Sequence, residues 1–317
     1  MNALLVILHL LTTSDLWHAA LQAAALLLLP ALGGVISERS GVVNIAMEGM
    51  MLTGAFAAVV ADLAWHNPWL GALVAIVAGG VMALIHAVVS IRFKADQIVS
   101  GVAINIFAAG LTLFLVNQVY GQADIGHVAP QNLLPDVNIP LLDHLPFLGP
   151  AFFQQQNIVV YFALILLVVV NVVLFRTRLG LRLRAVGEHP QAADTAGINV
   201  YVIRYGAVIT SGLLSGLAGA LLSIGISNTF VEGMTNGRGY IALAAMIFGK
   251  WTPLGAFIAC VIFGLGQAIY DNTSIIPVSP YLLNMLPYVL VLVALAGVVG
   301  RSTPPAADGI AYEPGGE

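Results

Sequence analysis

Charge is what this sequence has least of. Asp, Glu, Lys and Arg make up 8% of its 317 residues, whereas 59% are hydrophobic, and the mean hydropathy is +0.95. A soluble domain carries about 25% charged residues. So few charges do not cover a globule with polar surface, and lipid must solvate much of the chain. A basic excess is also missing: 11 Lys and Arg stand against 15 Asp and Glu, which argues against nucleic acid as a partner. One cysteine, Cys260, sits in an apolar run; it excludes an internal disulfide, and no Cys/His cluster has metal-ligand spacing. It reads as a small apolar packing residue. A nucleotide-binding P-loop needs Gly-x-x-x-x-Gly-Lys-Ser/Thr to cradle phosphates. The single Gly-Lys pair, Gly249-Lys250, is followed by Trp251 and lacks the upstream glycine. Neither a Gly-x-Ser-x-Gly elbow nor a His-Glu-x-x-His zinc motif occurs. No catalytic residue, metal site or cofactor site is expected in this chain.

What is present is a series of long apolar runs. A bilayer core needs about 20 such residues per helix. Eight stretches qualify: Trp17–Ile36, Val42–Ala64, Trp69–Ile91, Gln97–Tyr120, Ile158–Phe175, Ile203–Ile226, Leu254–Tyr270 and Tyr281–Val299. The segment Arg238–Gly249 is apolar but short, as expected of a half-helix or re-entrant element. The expected fold is an all-α polytopic membrane protein of about eight spans plus this broken helix. Residues 1–302 form the membrane domain, and Met1–Leu11, without Lys or Arg, reads as a lead-in to the first span rather than a secretory signal. The Pro-, Gly- and Ala-rich tail 303–317 is expected to be disordered.

Positive charge orients the chain. Arg176, Arg178, Arg182, Arg184 and Arg204 cluster in or beside one loop, which should be cytoplasmic. The loop 121–157 contains no Lys or Arg and should be external. Counting back puts Arg92, Lys94 and Arg39 inside and the N-terminus outside. The same rule favours Arg238–Gly249 crossing, with Lys250 and Arg301 inside.

Small residues recur at helical spacing, as Gly212, Ser215, Gly216 and Gly219 and as Gly79, Gly80 and Ala83; helix backbones approach closely at such faces. The stretches Arg39–Phe56 and Arg238–Phe257 are loosely alike, each closing on Gly-Ala-Phe. Broken repeats of this kind mark the binding region of many transporters, although accident explains the likeness nearly as well.

Polar groups inside spans are costly and are candidates for a transport path. Glu48 lies in the second span four residues after Asn44, which would set both on one helical face. Gln97, Ser100 and Asn105 add neutral donors and acceptors in the fourth. Interhelical hydrogen bonding, worth about 0.6 kcal/mol on average, is the plainer explanation for each. His86 reads as a satisfied packing residue, and Trp65, Trp69 and Trp251 as interfacial anchors.

Between two spans, Pro190 is well placed in the first turn of a short helix, Gln191–Ala196 favours helix, and Gly197 is suited to end it. Ala192, Ala193 and Ala196 are expected on its surface. Such a helix fits a groove on another protein, or lies on headgroups with its arginines facing anionic membrane lipid; the residues alone leave both readings open.

The stretch Gly180-Leu-Arg-Leu-Arg-Ala-Val-Gly-Glu-His-Pro-Gln-Ala-Ala, with Gly197-Ile-Asn-Val, resembles the coupling segment of ABC-transporter permeases for monosaccharides, branched-chain amino acids and nucleosides. Ile36-Ser-Glu-Arg-Ser-Gly-Val-Val-Asn-Ile-Ala-Met-Glu-Gly-Met-Met and Gly237-Arg-Gly-Tyr-Ile-Ala-Leu-Ala-Ala-Met-Ile-Phe-Gly-Lys-Trp-Thr-Pro are similar to that family's early and late signatures. The likeness runs from about Ala31 to Gly300, and the Ser-Glu-Arg-Ser-Gly-Val-Val-Asn form most resembles the nucleoside branch. His189 departs from the Asn usual before the proline, which puts the helix cap and the contact it makes in doubt. The resemblance implies an importer permease of bacterial inner membranes. Its partners would be a second permease, an extracytoplasmic substrate-binding protein and a separate ATPase that holds ATP and Mg. That ATPase would contact Glu188, His189, Pro190, Gln191, Ala192, Ala193 and Gly197. A simple sugar or branched-chain amino acid is the alternative solute. An ion-coupled secondary transporter centred on Glu48 is the alternative class, and an intramembrane enzyme lacks paired carboxylates or a Ser/Lys dyad.

Overall fold

The structure, a computed structural model, describes residues 9–120, 128–272 and 302–314 together with Met285 and Val289. In chain order the helices are α1 (Ser14–Glu38), α2 (Met47–Trp65), α3 (Pro68–Ala87), α4 (Gln97–Tyr120), α5 (Ile158–Arg176), α6 (Arg178–Glu188), α7 (Pro190–Thr195), α8 (Val200–Ala220), α9 (Arg238–Phe248) and α10 (Pro253–Asp271). π-Helical turns extend α3 through Arg92 and α8 through Ile226. Seven of these helices (α1 to α5, α8 and α10) are long and apolar enough to cross a membrane. They coincide with seven of the expected spans; the eighth, Tyr281–Val299, and Arg301 lie outside the described residues.

Local chemistry sets the helix boundaries. Asn67, Asn157, Asn199 and Thr252 each accept a backbone N–H from the first turn they precede, satisfying donors that a helix start leaves unpaired. Pro68, Pro190 and Pro253 occupy first-turn positions, where no N–H is needed.

α8 is the central packing element, lying against α1, α2 and α3. Two faces of small residues meet here. A Cβ on Gly79 would strike the Gly212 carbonyl and lie 2.7 Å from Gly216 Cα, and one on Gly54 would lie 2.6 Å from the Gly216 carbonyl. Glycine at these positions lets three backbones touch, which supplies the packing that apolar burial does not supply in lipid. Cys260 is fully buried in the same core.

The two ends of the bundle differ. At one, Val128 pairs with Phe230 through backbone hydrogen bonds of 3.0 and 2.8 Å, and β1 (Asp136–Val137) pairs with β2 (Gln156–Asn157). Buried Asp62 accepts the N–H groups of Gln131 and Asn132 at 2.7 and 2.9 Å. At the other end Arg39 donates to the Trp251 and Lys250 carbonyls at 2.8 and 3.3 Å and faces Glu188 at 4.0 Å. The arginine-rich segment shares that end, so the expected orientation places it in the cytoplasm.

The chain from Phe230 to Lys250 therefore joins opposite ends. α9 has 11 residues, about 16 Å of rise against a hydrocarbon core of about 30 Å, and residues 231–237 precede it without helix. Lys250 follows it at the Arg39 end, the side that the positive-charge rule favours for it.

Two sequence expectations differ from the structure. The second span does not begin as helix at Val42: Gly41 has φ +89°, the chain runs non-helically through Ile45, and α2 starts only at Met47. The tail is not loose over 302–314. Ala307 N–H donates to the Gly187 carbonyl at 2.9 Å, Arg204 Nη1 to the Ile310 carbonyl at 2.9 Å, and Lys94 pairs with Glu313 at 2.7 Å. Ala307 and Tyr312 are buried. Backbone hydrogen bonds need no large side chains, so a sparse composition does not prevent a short strap from docking.

Candidate functional site

Glu48 stands in the first turn of α2, next to the start of α9. Its Oε1 accepts the Gly237 N–H at 2.8 Å and its Oε2 the Gly239 N–H at 2.7 Å. A carboxylate at a helix N-terminus satisfies unpaired donors and complements the helix dipole. Gly237 holds φ +80°, open to glycine without strain. A Cβ on Gly239 would stand 2.5 Å from the Glu48 nitrogen. The two loosely similar stretches of sequence thus meet, the broken start of one against the broken start of the other.

Beside this junction lies a cavity of about 280 Å³ lined by Glu48, Asn105, Thr235, Asn236 and Tyr240, with apolar Val102 and Ile106. Asn105 Oδ1 accepts the Gly49 N–H at 2.8 Å, and its Nδ2 donates to the Ile45 carbonyl at 3.0 Å and to Tyr240 Oη at 2.9 Å. The lining is neutral apart from Glu48, with hydroxyl, amide and aromatic surfaces. Such a surface suits a polar solute that carries an aromatic ring.

Of the five sequence candidates, Glu48 and Asn105 line this cavity. Asn44 does not share a helical face with Glu48. It sits in the extended lead-in, where Oδ1 accepts the Ala46 N–H at 3.1 Å and Nδ2 donates to Ser211 Oγ at 2.8 Å. An apolar run with asparagine reads equally as helix or as unwound chain, so the shared face expected of Asn44 and Glu48 does not form. Gln97 and Ser100 brace the same lead-in: Gln97 accepts the Val43 N–H at 2.7 Å, and Ser100 meets buried His86, whose other ring nitrogen lies 3.0 Å from the Val43 carbonyl. Tyr240, Asn236 and Thr235 went unread in the sequence. Their signal was the run Thr235-Asn-Gly-Arg-Gly-Tyr240, the polar interruption that marks a broken helix.

The arginine-rich segment folds as α6 and α7 joined at His189, which makes no side-chain cap; Gly197 has φ +79°. Glu188, His189, Gln191, Ala192 and Gly197 are exposed. Pro190 and Ala193 are not: Ala193 is buried against Val186, Val200 and Tyr312. The expectation of a surface Ala193 is corrected, because the tail and α8 cover that side. Glu188 also accepts the Ala306 N–H at 3.2 Å. Under the strap, facing its Asp308, lie Glu38 and Arg204, with the Trp251 indole donating to Glu38 at 2.6 Å. Burial raises the Asp308 carboxyl, against the opposing pull of Glu38, the Gly309 N–H and Arg204. Among the described residues no three His, Cys, Asp or Glu are placed to hold a metal.

The chain is similar to known transport proteins along most of its length. It is 45% identical over 304 residues to the guanosine ABC transporter permease protein NupQ of Bacillus subtilis, covering 93% of this chain and 95% of that one. It is 40% identical to the nucleoside ABC transporter permease protein NupC of Lactococcus lactis, over 90% and 92% of the two chains. It is 42% identical to the putative glucose ABC transporter permease protein TsgC13 of Haloferax volcanii, over 81% and 77%. No solved structure matches it. Residues 18–295 match the family described as branched-chain amino acid transport system / permease component. With seven helices able to cross a bilayer and this match over most of its length, the chain is a multi-pass membrane protein that belongs to that permease family.

Proposed function

We propose that this chain is a membrane-spanning permease subunit of an ATP-driven nucleoside importer of a bacterial inner membrane. The observation that carries the proposal is the near full-length identity to the guanosine and nucleoside permeases. The cavity chemistry agrees: Tyr240 offers a ring to a nucleobase, while Asn105 and Asn236 offer amides to its edge or to ribose hydroxyls. A second permease completes the path, a binding protein delivers the solute outside, and a separate ATPase binds ATP and Mg and docks on the exposed face of α7. Its docking surface is formed by Glu188, His189, Gln191, Ala192 and Gly197, with Pro190 and Ala193 holding that surface from behind.

The experiment is uptake by cells lacking this chain and cells in which it is restored, with labelled guanosine, a labelled hexose and labelled leucine supplied in parallel. Restored guanosine uptake alone supports the proposal. Restored hexose or leucine uptake with no change in guanosine assigns a different solute.

A further inference from the structure

At the arginine-rich end a second cavity, about 390 Å³, opens between α1, α5, α6 and α8. Its walls are apolar, including Val169, Val173, Leu179, Leu183, Ile203 and Gly206. None of these elements lines the cavity at Glu48, so the groove is separate from the proposed solute path.

Gly206 is the unusual wall. It is an exposed residue within α8, and a Cβ added to it meets nothing within 4 Å. Glycine disfavours a helix interior relative to alanine, and among the described residues no backbone contact requires it here, unlike at Gly79, Gly212 or Gly216. Its missing side chain deepens the groove for something else. At the same end Arg176, Arg178 and Arg182 are exposed on the helices that carry Val173, Leu179 and Leu183. None of the three is in an ion pair with a carboxylate among the described residues. An apolar slot walled by the helices that carry three exposed arginines, at the expected cytoplasmic edge of a span, fits a molecule with an alkyl chain and an anionic head.

We propose that this groove binds an anionic phospholipid of the inner leaflet, one acyl chain lying over Gly206 and its phosphate held by Arg176, Arg178 and Arg182. The lipid would tie α6 to α5 and α8, and so stiffen the segment that leads into α7.

The test is native mass spectrometry of the complete solubilised transporter, titrated separately with phosphatidylglycerol and phosphatidylcholine. Phosphatidylglycerol should bind at least about tenfold more tightly. Arg178→Gln with Arg182→Gln should weaken it about fivefold per arginine removed and leave phosphatidylcholine unchanged. Gly206→Phe should weaken both lipids, and Gly206→Leu should do so less. Thermal unfolding confirms that each variant is folded, and the comparison of the two lipids on the unaltered complex stands without any variant. Equal affinity for the two lipids overturns the proposal. Loss of the ATPase from the arginine variant with lipid retained assigns the arginines to that subunit instead. Loss of the second permease from the Gly206 variants assigns the groove to it.

Discussion

The Glu48 carboxylate closes the N-terminus of the half-helix that begins beside Gly239, with Oε2 2.7 Å from the Gly239 N–H. With the bond from the Gly237 N–H to Oε1, it joins two interruptions of helix, across 189 and 191 residues of sequence. It holds the wall of the cavity in place, and it gives Glu48 a structural task that does not depend on carrying an ion.

Glu48→Ala leaves two backbone donors unpaired, a loss of about 1–3 kcal/mol for each. Glu48→Gln keeps one acceptor oxygen and the side-chain shape, so it should lower stability and uptake less. Thermal unfolding and nucleoside uptake of both variants check this. If Gln abolishes uptake as completely as Ala while leaving stability intact, the charge itself drives transport and the ion-coupled reading gains.

Gly239→Ala places a Cβ 2.5 Å from the Glu48 nitrogen and 2.6 Å from its Cα. Backbone atoms do not step aside as flexible side chains do, and overpacking of this kind costs about 1–3 kcal/mol. The expected result is a lower unfolding temperature together with reduced uptake.

Position on α7 should separate coupling from folding. Ala192 is exposed, so Ala192→Glu should leave the unfolding temperature within about a degree while reducing ATPase binding and uptake. Ala193 is 4% exposed, and Ala193→Glu buries an unpaired charge, destabilising by about 3–5 kcal/mol. Measuring unfolding and ATPase co-purification for both variants distinguishes the two effects.

The C-terminal strap should respond to pH. Burial in the docked tail holds the Asp308 carboxyl above the range of a free aspartate, about 3.9, so the docked form holds a proton that the released form gives up. Docking is strongest below about pH 4 and weakens as pH rises above that. The groups facing Asp308 are Glu38 and Arg204. Hydrogen exchange of residues 306–312, corrected for intrinsic rates, should increase from pH 5 to pH 8. Asp308→Asn should flatten that dependence.

Long apolar windows made the seven described spans legible, because lipid demands both length and composition. Pro190 and Gly197 fixed α7 through backbone geometry that few other residues share. The unwound lead-in at Val42–Ala46 was hidden because its side chains are as apolar as a helix in lipid, and only Gly41 signals the break. Tyr240 was hidden because its role comes from Asn105, 135 residues away. The docked tail was hidden because its own backbone makes the ties, to the Gly187 carbonyl and the Arg204 guanidinium, which composition does not record. Glycine spacing made it readable that α3 and α8 each carry a face for close helix packing; that the two faces meet is seen only in the structure.

The most direct test of the central claim is guanosine uptake into proteoliposomes holding the assembled transporter, with ATP supplied on the side of α7 and the binding protein on the other. The account expects uptake that requires ATP, the ATPase and this chain together, and that survives an ionophore. Uptake by this chain alone, without ATP and abolished by the ionophore, would contradict it.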